Sequence, residues 1–236
     1  MANKTDLEYF EKITKKIADI YDNQIYQAVI FNHDDPREDN LLVIIKNDDF
    51  DKSLRLQAIV KQLSKKNIPT PLVLTKEFIL NSLDSFPLEF LNMQSDYHNL
   101  TSEENVLNAL QFQKTDIRLQ IERELKSKLL LINTNLISIS KSLEYERLTA
   151  ESIISIKPVL KGILFLYGEA IPTVYEEILK KVEHSVHIDL SSLHTAFEVA
   201  HKVIKTTKFD WQEFFRKYIR ELQQLTDFID NKLNIL

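Results

Sequence analysis

Apolar residues recur at helical intervals from the start of the chain. Leu7, Phe10, Ile13, Ile17 and Ile20 fall at steps of three and four and predict an amphipathic helix, with Thr5 and Asp6 as candidate caps. The pattern then changes. Ile25 to Phe31 and Leu41 to Ile45 are short runs rich in strand formers, separated by the polar stretch Asn32 to Asn40, and they predict two neighbouring buried strands. Helical spacing returns in Leu54, Leu56, Ile59, Val60 and Leu63, before Pro69-Thr70-Pro71 leads into a third strand, Leu72 to Thr75. Thr75 is placed to cap a further helix carrying Phe78, Ile79 and Leu83, which the Ser85-Phe86-Pro87 break ends.

From about Thr115 onward strand signals vanish and the apolar positions keep helical spacing. Helices are predicted over roughly 115–145, 149–168, 172–185, 189–206 and 209–234. Asp116, Thr149, Pro172 and Asp210 suit helix starts, Gly168 suits a stop, and Pro158 predicts a kink or a split. In the last helix Trp211, Phe215, Tyr218, Leu222, Leu225, Ile229 and Leu233 form one stripe, the pattern of a core seam within a bundle or, as the alternative, of a dimer interface. The expected fold class is therefore α+β: a small mixed sheet with helices over 1–112, then an all-α helical bundle over 113–236.

Composition narrows the chemistry. The 236 residues include no cysteine, which excludes disulfides, thiolate catalysis and cysteine-ligated metal centres and fits a reducing compartment. The N-terminus lacks the apolar core of a signal peptide and no stretch reaches membrane-spanning length, so a cytoplasmic protein without a membrane partner is expected. A net charge of -5, with both signs mixed along the chain, supplies no broad basic field for nucleic acid. The only glycines are Gly162 and Gly168, so residues 1–161 hold neither a Walker loop nor a dinucleotide fingerprint.

Two segments, Pro71-Leu72-Val73-Leu74-Thr75-Lys76-Glu77-Phe78 and Phe86-Pro87-Leu88-Glu89-Phe90-Leu91-Asn92-Met93-Gln94, carry a family resemblance, as does the helical run from Asp116 to Leu130. The chain resembles bacterial nucleotidyltransferase-domain proteins of the DNA polymerase beta superfamily over about residues 7–130, most specifically over 71–130. The order helix, strand, strand, helix, strand also agrees with that fold. Active members carry a Gly-Ser turn after the first strand, whose N–H groups hold the triphosphate, and an Asp-x-Asp pair opening the second strand, whose carboxylates hold Mg²⁺. The resemblance places Asn32 and His33 at the Gly-Ser positions, and Glu38 and Asn40 at the two metal positions. The loop between them is short, and the third strand carries no acid. Together these departures imply a pseudoenzyme that needs no cofactor.

Asp34, Asp35, Glu38 and Asp39 crowd one loop, as a residual cation site or as a solvated turn; the spacing is not that of an EF-hand. His184, His187, His194 and His201 invite a metal, but His194 and His201 lie two turns apart, about 10 Å, too far for one ion to bridge. Arg118, Glu122, Arg123, Lys126 and Lys128 read as a solvated helix face with an i,i+4 pair, or place Arg118 or Arg123 where a nucleotide phosphate once bound. Some helical domains paired with nucleotidyltransferase domains are ribonucleases with histidine four to six residues after arginine, a spacing missing here. The expected function is a noncatalytic interaction, regulatory or assembly protein, partnered by another protein or self-associating through the bundle. The alternative is a nucleotide-binding or weakly active transferase using a rearranged acidic loop.

Overall fold

The computed structural model describes residues 4–32, 40–207 and 209–232. The chain forms two compact units, 1–112 and 113–236. The first is a small mixed α/β sheet domain and the second an all-α helical bundle.

In the first unit α1 (Lys4–Ile20) precedes β1 (Ile25–Phe31) and β2 (Asn40–Ile45). Then come α2 (Phe50–Arg55), α3 (Gln57–Ser64), β3 (Leu72–Thr75), α4 (Lys76–Leu80), α5 (Pro87–Ser95) and β4 (Tyr97–Ser102). The strand order is β3-β2-β1-β4. β1 lies antiparallel to both β2 and β4, while β3 runs parallel to β2. Alternation along the strands divides the core between the two faces of the sheet. Ala28, Ile30, Leu41, Val43 and Ile45 pack with Phe10, Ile13 and Ile17 of α1 and with Ile59 and Leu63. Val29, Phe31, Leu42 and Ile44 pack on the other face with Ile79, Phe90, Met93 and Leu107.

Local chemistry moves several boundaries. α1 begins at Lys4, so Thr5 and Asp6 fall inside it rather than ahead of it. The helix expected around Leu54 to Leu63 is two pieces, and Leu54 is exposed; Asp49 caps the first piece by accepting from the Lys52 N–H at 3.0 Å. Thr75 caps α4, taking the Phe78 N–H at 3.0 Å. Phe78, expected on the apolar face, is exposed, while Ile79 is fully buried.

The bundle comprises α6 (Lys114–Ser138), α7 (Ser142–Ile154), α8 (Lys157–Leu166), α9 (Tyr175–Val186), α10 (Ser191–Ala200) and α11 (Trp211–Lys232). α6 packs on α8 and α11, α7 on α10, and α8 on α9. The helix expected over 115–145 stops at Ser138, where Thr134 and Asn135 turn their side chains onto carbonyls four residues back. Glu144 then starts α7 by accepting the N–H groups of Ser140 and Lys141, at 3.0 and 3.1 Å, which hold its carboxyl below the usual range. Thr149 lies in the middle of α7, not at a start, and Pro172 precedes α9 by three residues. Pro158 sits in the first turn of α8, where its missing N–H costs nothing, so the expected split is real. Gly168, at φ +70°, ends the following turn. Trp211, Phe215, Tyr218, Leu222, Leu225 and Ile229 are all buried, so the α11 stripe is consumed by the bundle; Leu233 lies outside the described residues. Among the described residues no helix is long and apolar enough to cross a membrane.

Candidate functional site

Among the positions that the sequence singled out, Asn32 and Asn40 meet at one end of the sheet. Asn40 opens β2 opposite Phe31, the last residue of β1, and Asn32 follows Phe31 directly. His33, Asp34, Asp35, Glu38 and Asp39, which join the two asparagines in sequence, lie outside the described residues.

Asn32 takes a left-handed conformation, φ +58°, which asparagine tolerates better than most side chains. Both of its ends are held. Its N–H donates to the Asp96 carbonyl at 3.1 Å, and its side-chain oxygen accepts from Nδ2 of Asn92 at 2.9 Å. Asn92 is buried on α5 among Phe90, Leu91 and Met93, and its own carbonyl accepts the Ser95 hydroxyl at 2.9 Å. Asp96 is buried as well, in the step between α5 and β4, next to Tyr97, which pairs with Phe31. The end of β1 is thus framed by the amides of Asn32 and Asn92 and the backbone carbonyl of Asp96, with Asn40 on the adjacent strand.

Sequence reasoning missed Asn92 and Asp96. One signal was present: a single asparagine inside the otherwise apolar Phe90-Leu91-Asn92-Met93 stretch, where a buried amide needs a partner. It also missed Gln27, wholly buried in β1. Gln27 Nε2 donates to Oδ1 of both Asn99 and Asn105, each at 2.8 Å, while its Oε1 accepts the Leu107 N–H at 3.1 Å.

Arg118 and Arg123 belong to the bundle. Arg118 pairs with Glu122 at 3.3 Å, the i,i+4 contact that the spacing predicted, and Arg123 is exposed. Lys128 does not share that solvated face: it is buried, as are Lys157 and Lys161 on α8. The histidines split into separate contacts. His184 and His187 stand ring to ring at 6.2 Å, His194 faces Glu183 at 3.5 Å, and His201 stacks on Phe197 at 3.9 Å. Among the described residues no three His, Cys, Asp or Glu side chains are grouped to hold a metal ion. Neither the protein-family models nor the curated proteins offer a match to this chain.

Proposed function

We propose that this chain is a noncatalytic interaction or regulatory protein, with a nucleotidyltransferase-like α/β unit and a helical bundle as its binding surfaces. The observation that carries this reading is Asn32. A turn that holds phosphate needs backbone N–H groups left free to point at the anion. The Asn32 N–H, at the position where the resemblance requires such a turn, is already given to the Asp96 carbonyl. Asn40 brings a neutral amide to the strand start where a metal carboxylate is required. The element order α1, β1, β2, α2 with α3, β3 supports the scaffold half of the reading. We place the protein in the cytoplasm, which its cysteine-free composition suits.

Asp96 favours a second reading, in which the chain still binds a nucleotide. It is a buried acid whose backbone carbonyl accepts the Asn32 N–H, so it stands at the strand end where the resemblance places the nucleotide. Thermal unfolding with millimolar nucleoside triphosphate and Mg²⁺ separates the two. A ligand at a hundred times its Kd stabilises by about 2.7 kcal/mol. No shift is expected; a shift that Asp96→Asn abolishes would overturn the noncatalytic, nucleotide-free reading.

A further inference from the structure

At the opposite end of β1 from Asn32, a groove of about 370 Å³ runs between α1 and β4. Glu11, Thr14, Lys15 and Ala18 form its helical wall, and Leu100 and Thr101 of β4 form the other. β4 is an edge strand: it pairs with β1, and among the described residues no strand pairs with its outer side. Alternate N–H and C=O groups along that side therefore face away from the sheet, a template for one more strand.

The groove is also lined by a residue with an unsatisfied hydroxyl, Thr14. Helical threonines ordinarily turn the hydroxyl onto the carbonyl four residues back. Thr134, Thr149, Thr195 and Thr226 all do so here, at 2.7 to 3.0 Å. Thr14 does not. It is only 5% exposed, and its hydroxyl has no hydrogen-bond partner, a costly state for a buried polar group. A helical threonine has two accessible χ1 wells, so one rotation can bring the hydroxyl into the groove that Thr14 lines.

We propose that this groove takes an extended peptide segment of a partner protein, added to β4 as a fifth strand, with one uncharged polar side chain reaching Thr14. An extended backbone is the ligand whose donors and acceptors match a strand edge. Glu11 and Lys15 set opposite charges one helical turn apart on the same wall, and Glu103 at the end of the groove is paired with Lys46 at 2.8 Å, so a hydroxyl or amide side chain suits the space beside Thr14 better than either charge. The inference names a surface for the interaction role proposed above and rests on that reading.

The probe is a phage-displayed library of random peptides with a core about six residues long, the length of an ordinary strand. It is panned on the full chain, and the enriched peptides are then made synthetically. Enriched peptides should protect β4 amides from hydrogen exchange and should lose about tenfold or more in affinity when alternate amides are N-methylated. They should also bind several-fold more weakly to Thr14→Val, a variant of nearly unchanged shape. No enrichment over a control protein overturns the proposal, as does affinity indifferent to N-methylation or to Thr14→Val. Nucleotide titration reports on the other end of β1. A nucleotide-induced shift with intact peptide binding would sink the proposed function alone, whereas peptide failure without a nucleotide shift would sink only the groove.

Discussion

The two units solve the same problem with different chemistry. Each buries a polar side chain that ties together elements distant in sequence. In the α/β unit that side chain is Gln27, a neutral amide joining β1 to Asn99 of β4 and to Asn105 and Leu107 beyond it. In the bundle it is Glu221 of α11, whose carboxylate accepts the N–H groups of Ser192 and Leu193 at the start of α10, at 2.8 to 3.1 Å. An amide has one ionisation state and serves the sheet equally at any pH. A carboxylate matches the positive end of a helix, but it makes the joint titratable.

Breaking the neutral joint should have the largest effect. Gln27→Leu fills similar space but leaves the Leu107 N–H buried without its acceptor and takes the Nε2 donors from two asparagines. A loss of about 3 kcal/mol is expected in urea unfolding. If the variant were as stable as the parent, Gln27 would be a passenger of the sheet rather than its tie.

Glu221→Ala should cost about 1–2 kcal/mol, because the first turn of α10 loses its cap. Its conservative partner, Glu221→Gln, tells the two joints apart through pH. Burial is the largest influence on the Glu221 carboxyl and pushes it above its usual value of 4.5, against the N–H groups that draw it down. The folded state therefore holds this proton to higher pH than the unfolded chain does. The associated stability is fully present below the unfolded value and is lost as pH rises through the folded one. Relative to the parent, Glu221→Gln should gain stability as pH is raised from about 4 to 7, read as the difference in Tm. Gln27→Leu should show no such trend.

What the sequence disclosed divides along physical lines. β1 and β2 were legible because both faces of the sheet bury them, so their apolar residues run together, Ala28 to Phe31 and Leu41 to Ile45, while β3 is only half-buried and was legible from the Pro69-Thr70-Pro71 lead and its short apolar run. β4 was not, since Tyr-His-Asn-Leu-Thr-Ser has an exposed face and owes its place to pairing with β1. Asn32 and Asn40 were singled out by the family resemblance, and the pairing of β1 with β2 sets them at one end of the sheet. Asn92 and Asp96 were not, because their contacts with Asn32 close across some sixty residues of chain. Thr149 was misread for a local reason: a residue type that favours helix starts also fits mid-helix when its hydroxyl reaches the Tyr145 carbonyl, here at 2.8 Å.

A smaller effect is expected where the bundle keeps a neutral buried pair. The hydroxyls of Ser152 and Tyr218 lie 2.7 Å apart, and both residues are buried. Burial pushes the Tyr218 phenol far above its ordinary range, so it stays neutral through any pH at which the chain is handled. Tyr218→Phe keeps the ring and strands the Ser152 hydroxyl, for a loss of about 1 kcal/mol without pH dependence. Restoring the balance with Ser152→Ala in the same chain should recover most of it, which a double-mutant cycle measures.

The smallest effect has the opposite sign, and it returns the comparison to the α/β unit. Gln27 shows a buried polar group with its main partners in place; Thr14, on α1 beneath the same sheet, shows one left without. Thr14→Val exchanges the hydroxyl for a methyl at almost constant shape, so nothing else need move. If the hydroxyl contributes nothing to the unit's own stability, removing it should raise stability by about 0.5–1 kcal/mol in urea unfolding. A loss of stability would mean that the hydroxyl already has a partner, most simply a bound water, in the free protein. A gain would mark Thr14 as a group that folding alone does not satisfy, the property expected of a side chain whose partner arrives with a ligand.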